Sequence, residues 1–175
     1  GIILYPTDTL YGLAVDSSNQ AALQKLYELK GRERGKPLHS IFRDIQAVEQ
    51  YADLTPPARK LAEVFLPGKL TLILNKKDGM RSALSHETGT VGVRIPCHMF
   101  CLSLAKTYGK PFTATSANVS GEKSLFTTDA ILAQFGDRAD MIDLVIDAGK
   151  LSLSEPSTIG DVTTSSPPVL RVGAI

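Results

Sequence analysis

Ile2-Ile3-Leu4-Tyr5-Pro6 and Leu13-Ala14-Val15 bracket the polar stretch Thr7-Asp8-Thr9-Leu10-Tyr11-Gly12. The first apolar run is too short for a buried helix and is stopped by Pro6, so it reads as a buried strand. The second follows Gly12 and reads as another strand. Asn19 then stands where an N-cap belongs, with Ala22, Leu23, Leu26, Tyr27 and Leu29 recurring at helical spacing and Gly31 placed to end the helix. Two strands followed by a helix start an alternation that continues along the chain. Strands are predicted over 38–42, 70–74, 91–95, 112–115, 142–146, 157–162 and 169–172. Helices are predicted over 45–51, from Thr55-Pro56 to Phe65, over 100–108 and over 129–135. Thr55 caps with Pro56 at the first helical position, and Gly109 stops the fourth helix. Strands alternating with helices predict an α/β fold with a mixed sheet.

Length and composition agree with this. The chain has 175 residues, within the usual size of one domain, and no internal repeat or long linker divides it, so residues 1–175 are expected to form a single domain. A chain this long buries roughly 70% of its unfolded surface. Hydrophobic residues make up 43% and charged residues 21%, an ordinary globular balance. With 19 Lys and Arg against 18 Asp and Glu, the net charge of +1 argues against bulk electrostatic capture of nucleic acid. No run of about 18 apolar residues marks a membrane span. No signal peptide is visible, and two Cys suit a reducing compartment, so the expected location is the cytoplasm. The chain opens in an apolar run without Met, as expected of a segment preceded by further sequence.

With three His and two Cys, there are few ways to build a metal site or a His-based triad. Cys97 and Cys101 lie i, i+4, but structural zinc wants four ligands, and two small core side chains is the simpler reading. No protein-ligated metal is expected. His39, His86 and His98 stand beside no obvious nucleophile. Gly31-Arg32-Glu33-Arg34-Gly35-Lys36 is not a P-loop: the glycine spacing is short, Pro37 follows the Lys, and the stretch follows a helix.

Chemistry therefore falls to Lys, Arg, Ser, Thr and Asn. From Lys25 to Lys36, five positive residues face two negative ones. Lys30 and Arg32 straddle the helix end, where cations suit the dipole. The run reads either as a solvated cap or as a polyphosphate clamp, Arg giving a fork and Lys a point charge. Thr113-Ala-Thr115-Ser116-Ala-Asn118-Val-Ser-Gly121 leaves a strand's C-terminal end, where α/β sheets bind ligands, although a plain turn has the same composition. Arg94 stands alone in an apolar strand and needs an anionic partner from the fold or a ligand. Arg171 is a second strand Arg, and Ser157-Thr158 a second hydroxyl pair.

Taken together and in order, these segments resemble the YrdC/Sua5 (TsaC) family, the L-threonylcarbamoyladenylate synthases. The match is carried by residues 5–13, Lys30-Gly-Arg32 with Lys36-Pro-Leu38, residues 67–71, Val91 to Pro96, Thr115-Ser-Ala-Asn118 with Ser120-Gly121, Pro156 to Ile159, and Leu170 to Gly173. The resemblance implies a twisted mixed sheet flanked by helices around an open basic cleft. It implies synthesis of threonylcarbamoyl-AMP from L-threonine, bicarbonate and ATP, with pyrophosphate released and Mg²⁺ arriving with ATP. A transferase complex then carries the group to adenosine 37 of tRNA, and RNA contact by this chain is a further implication. By the same resemblance Lys30, Arg32 and Arg94 are catalytic. Lys36, Thr115, Ser116, Asn118 and Arg171 bind nucleotide, and Thr7 and Ser157 bind threonine. No dedicated general base is expected.

Two features depart from the family. In longer family members the run after Lys-Pro-Leu often carries a His at the position held here by Ile41, while His39 comes earlier, and neither is assigned a substrate role. The helix that usually precedes the first strand and the C-terminal domain of Sua5 proteins have no counterpart, which implies the short type. An RNA-binding module and a non-synthase paralogue are the competing readings. The intact Lys-x-Arg and Ser-x-Asn pairs argue against the paralogue.

Overall fold

The computed structural model describes residues 1–33, 38–77, 89–164 and 166–175. Nine strands are described: β1 (Ile3–Pro6), β2 (Tyr11–Ala14), β3 (His39–Ile41), β4 (Leu70–Asn75), β5 (Thr90–Arg94), β6 (Phe112–Ser116), β7 (Leu144–Val145), β8 (Thr158–Asp161) and β9 (Val169–Arg171). The helices are α1 (Gln20–Lys30), α2 (Ile45–Glu49), α3 (Pro56–Phe65), α4 (Met99–Tyr108) and α5 (Thr128–Phe135). A 3-10 helix over Gly136–Met141 extends α5 and was not foreseen. The strands form one mixed sheet in the order β7-β1-β2-β6-β3-β5-β4-β8-β9, so the expected α/β fold with a mixed sheet is the one observed.

The helix ends follow from local chemistry. Asn19 accepts the Ala22 amide, and Gly31 takes φ +60°, a left-handed conformation that glycine adopts without Cβ strain. Thr55 accepts from Ala58 ahead of Pro56. Asp44 and Thr127 cap α2 and α5 in the same way.

Strand alternation distributes the core. Leu4 and Leu13 pair across β1 and β2 and face α1 and α5, packing with Leu26, Leu29, Ile131 and Phe135. Tyr5 and Ala14 point the other way, onto α4, with Ile41, Cys101, Ala105 and Phe112. A third cluster sets α2 and α3 against β4 and β5 through Val48, Ala58, Leu72 and Val93. Cys101 is buried as expected of a core side chain, and burial pushes its thiol up to about 12. Cys97, however, is exposed, because it precedes α4 in a surface connection rather than lying on the helix's inner face. Among the described residues no helix is long and apolar enough to cross a membrane.

Candidate active site

A cavity of about 300 Å³ opens where the sheet's central strands meet the turn after β1 and the segments around β8 and β9. That is the lower end of the range for small-molecule sites. Arg32, Arg94 and Arg171 line it, together with Thr7, Thr9, Thr115, Ser116 and Ser157. These residues come from the start, middle and end of the chain. No carboxylate lines the cavity among the described residues.

The turn between β1 and β2 is built by its hydroxyls. Thr7 Oγ1 donates to the Leu10 carbonyl at 2.6 Å and accepts from the amides of Thr9 and Leu10. Its single proton is thereby committed, so in the 3.1 Å contact between the two hydroxyls Thr9 is the donor. Arg94 Nη2 in turn donates to Thr9 Oγ1 at 2.8 Å. The lone strand arginine thus finds its anion in the fold: Asp8 Oδ1 accepts from Arg94 Nη2, and Asp8 Oδ2 accepts the Cys97 amide at 3.0 Å. Both side chains of this pair are almost buried, at 11% and 8% exposure. Arg94 Nε is buried and has no hydrogen-bond partner among the described residues.

The opposite wall is held by Arg171. Its Nε and Nη2 both donate to the Ser157 carbonyl, at 3.1 and 2.7 Å, and Nη2 also reaches Ser157 Oγ at 3.3 Å. Ser157 Oγ shares a 2.8 Å hydrogen bond with Thr71 Oγ1. Burial, and then the nearby Arg94, lower the pKa of Arg171.

Lys30 and Asn118 stand behind the cavity rather than in its lining. Lys30 is 2% exposed, and its Nζ donates to the backbone carbonyls of Ser116 and Asn118, with the Asn118 amide oxygen at 3.4 Å. Burial, then Arg32, pull its amine down to about 7. Asn118 Oδ1 accepts from Ser116 Oγ, while Nδ2 donates to the carbonyls of Val119 and Glu122. The whole Asn118 side chain is spent on shaping its own loop. Lys36 lies outside the described residues.

Sequence reasoning passed over Tyr5, Tyr11 and His39, all of which line the cavity. The alternation of β3 could have found His39, since it shares a face with Ile41. Tyr5 is fully buried; its ring lies against Gly12, where a Cβ would meet Tyr5 Cζ at 3.0 Å. The Tyr5 hydroxyl has no partner among the described residues, and burial raises its pKa well above the usual phenol value.

This geometry can be set beside known proteins. The Sua5/YciO/YrdC family model, described as telomere recombination, matches residues 1–173. The chain belongs to the Sua5/YciO/YrdC family. A putative threonylcarbamoyl-AMP synthase of Methanocaldococcus jannaschii is 38% identical over 174 residues, 99% of this chain and 80% of that protein. The threonylcarbamoyl-AMP synthase of Mus musculus is 38% identical over 154 residues, 88% of this chain and 53% of that protein. Against several such curated relatives the chain spans only about half their length. Among solved structures, Pyrococcus abyssi Sua5 complexed with L-threonine superposes with a TM-score of 0.87 at 32% identity, over 98% of this chain and 50% of that one. Escherichia coli YciO superposes with a TM-score of 0.87 at 26% identity, over 99% and 83%. Family membership and fold therefore agree: the mixed sheet is that of the Sua5/YciO/YrdC family.

Proposed function

We propose that this protein is a threonylcarbamoyl-AMP synthase, joining L-threonine, bicarbonate and ATP into L-threonylcarbamoyladenylate with release of pyrophosphate. The observation that carries the reading is the convergence of Arg32, Arg94 and Arg171 with Thr7, Ser116 and Ser157 in one cavity. The reaction asks for such a site. A carbamate oxygen attacks the α-phosphate, and negative charge grows on the phosphoryl oxygens and on the departing pyrophosphate. Positioning and fixed positive charge do most of the catalytic work in such transfers.

In this reading Arg32 and Arg94 gather the anionic groups, and Arg171 with Thr115 and Ser116 contacts the nucleotide. Lys36 belongs to the same clamp. Thr7 and Ser157 shape the threonine pocket, Thr7 by fixing the turn that its hydroxyl closes. Lys30 and Asn118 position the loop that carries Ser116. Mg²⁺ enters as part of the ATP substrate. The product is handed, in the cytoplasm, to a transferase complex acting on adenosine 37 of tRNA.

The test is incubation with threonine, bicarbonate and α-labelled ATP, with threonylcarbamoyl-AMP and pyrophosphate measured together. Equimolar appearance of both is expected. Folded protein that yields neither would sink the proposal, and Arg32→Ala that retains full activity would remove the clamp assignment.

A further inference from the structure

The threonine that enters this cavity carries an ammonium, and an ammonium cannot attack carbon. The proton must leave before the nitrogen adds to bicarbonate. The cavity wall, with three arginines and no carboxylate among its described residues, offers that proton few acceptors. Arginine stays protonated throughout the physiological range. The tyrosines are no better: burial raises the pKa of both Tyr5 and Tyr11. One described residue of the lining belongs to the type whose charge changes near neutral pH, and that residue is His39.

Its placement is specific. His39 opens β3, pairing with Gly92 on β5 and with Ala114 on β6. The imidazole lies over Gly92, where an added Cβ would meet His39 Cδ2 at 2.6 Å. A glycine on one side and an alanine on the other leave room for a half-buried ring between two central strands. Among the described residues, the charged and titratable groups that line the same cavity are Arg94 from β5, Arg171 from β9, Arg32 from the segment after α1, and Tyr5 and Tyr11 from β1 and β2.

We propose that His39 is the proton acceptor for the substrate's amine, a role that rests on the synthase reading above. The neutral imidazole takes one proton from the ammonium. The freed amine adds to the bicarbonate carbon, a C–N bond forms, and one C–O bond breaks to release water. Ammonium, bicarbonate and imidazole thus become carbamate, water and imidazolium, with charge and atoms conserved.

The test is the pH profile of threonylcarbamoyl-AMP formation by wild type, His39→Gln and His39→Asn, each first checked for folding by circular dichroism. General-base assistance is commonly worth about 100-fold or more. A deficit of about that size is therefore expected at neutral pH. It should close as the pH approaches roughly 9.5, beyond the ordinary α-amino range, where solvent deprotonates the amine unaided. Gly92→Ala, which keeps the imidazole but displaces it, should show the same pH-dependent deficit. A loss that is uniform across pH, with a raised threonine KM, would overturn the proposal in favour of a binding role. Unchanged rates would overturn it outright. Wild-type protein that makes no product at any pH would instead overturn the synthase reading.

Discussion

Lys30 Nζ donates to the backbone carbonyl of Asn118 at 2.7 Å across a sequence separation of 88 residues. The end of α1 is thereby fastened to the loop that leaves β6, and the Ser120 amide returns the connection by donating to the Lys30 carbonyl at 2.8 Å. Lys30→Met keeps most of the side-chain volume but removes every donor. Leaving a buried oxygen without a partner costs about 1–3 kcal/mol. The variant should lose at least that much stability in urea unfolding, and its nucleotide affinity should fall with it. Unaltered stability would mean that this loop is held by Asn118 alone.

The same lysine predicts an unusual pH dependence. Its amine lies at about 7 in the folded protein and near the ordinary value of about 10.4 in the unfolded chain. Between those values the unfolded state binds the extra proton, so stability rises with pH across that window. Below about 7 both states are charged and the folded protein bears the full cost of the buried cation. Urea midpoints of wild type and Lys30→Met at pH 6 and pH 9 should show the wild type gaining on the variant as pH rises. A constant difference would contradict the assigned burial.

Asp8 and Arg94 form a nearly buried ion pair in which Asp8 also holds the Cys97 amide. Removing one partner of such a pair costs about 3–5 kcal/mol, because the other is left charged and uncompensated. Asp8→Ala should fall in that range by denaturant titration and should also free Arg94 from its fixed direction, weakening anion binding. A change below about 1 kcal/mol, the value typical of exposed pairs, would show that water replaces the carboxylate.

Gly173 passes so close to the Pro156–Ser157 wall that a Cβ there would stand 2.1 Å from the Pro156 carbonyl oxygen. Gly173→Ala must push this backbone aside, and Ser157 with it. Threonine affinity measured by calorimetry should drop well before global stability does. Equal affinity in the folded variant would separate Ser157 from the pocket.

Tyr5 buries a hydroxyl that no described residue satisfies. Tyr5→Phe deletes that polar atom while keeping the ring against Phe112, 5.9 Å away between centroids. An unsatisfied buried hydroxyl carries a desolvation cost, so the variant should be more stable by about 1 kcal/mol in thermal or urea unfolding. Destabilisation would reveal a partner for the hydroxyl.

Most of the fold was legible in the residues because its signals are local. Asn19, Thr55 and Gly109 mark helix ends through hydrogen bonds and backbone angles set within a few positions. Short apolar runs such as Leu70 to Leu74 mark strands through burial on both faces. The 3-10 helix over Gly136–Met141 escaped because its polar sequence, Gly-Asp-Arg-Ala-Asp-Met, has no helical stripe and continues α5 only in the folded context. The exposure of Cys97 escaped because their spacing pairs the two cysteines as core side chains, although the helix expected over 100–108 already leaves Cys97 outside it.

By itself, the order of residues determined the strand and helix succession, the family resemblance, and which side chains had the chemistry to grip an anion. Tertiary structure alone decided which of them meet. Arg94 and Arg171 are 77 positions apart in sequence and line one cavity only because β4 and β8 join β5 to β9 in the sheet. Lys30 and Asn118, prominent in the sequence, turned inward because the loop's carbonyls needed a buried donor. His39 came into the cavity because Gly92 and Ala114, each a neighbour only through strand pairing, leave space for its ring. Spacing along a chain reports the period of a local element, whereas register between strands is set by the packing of the whole sheet.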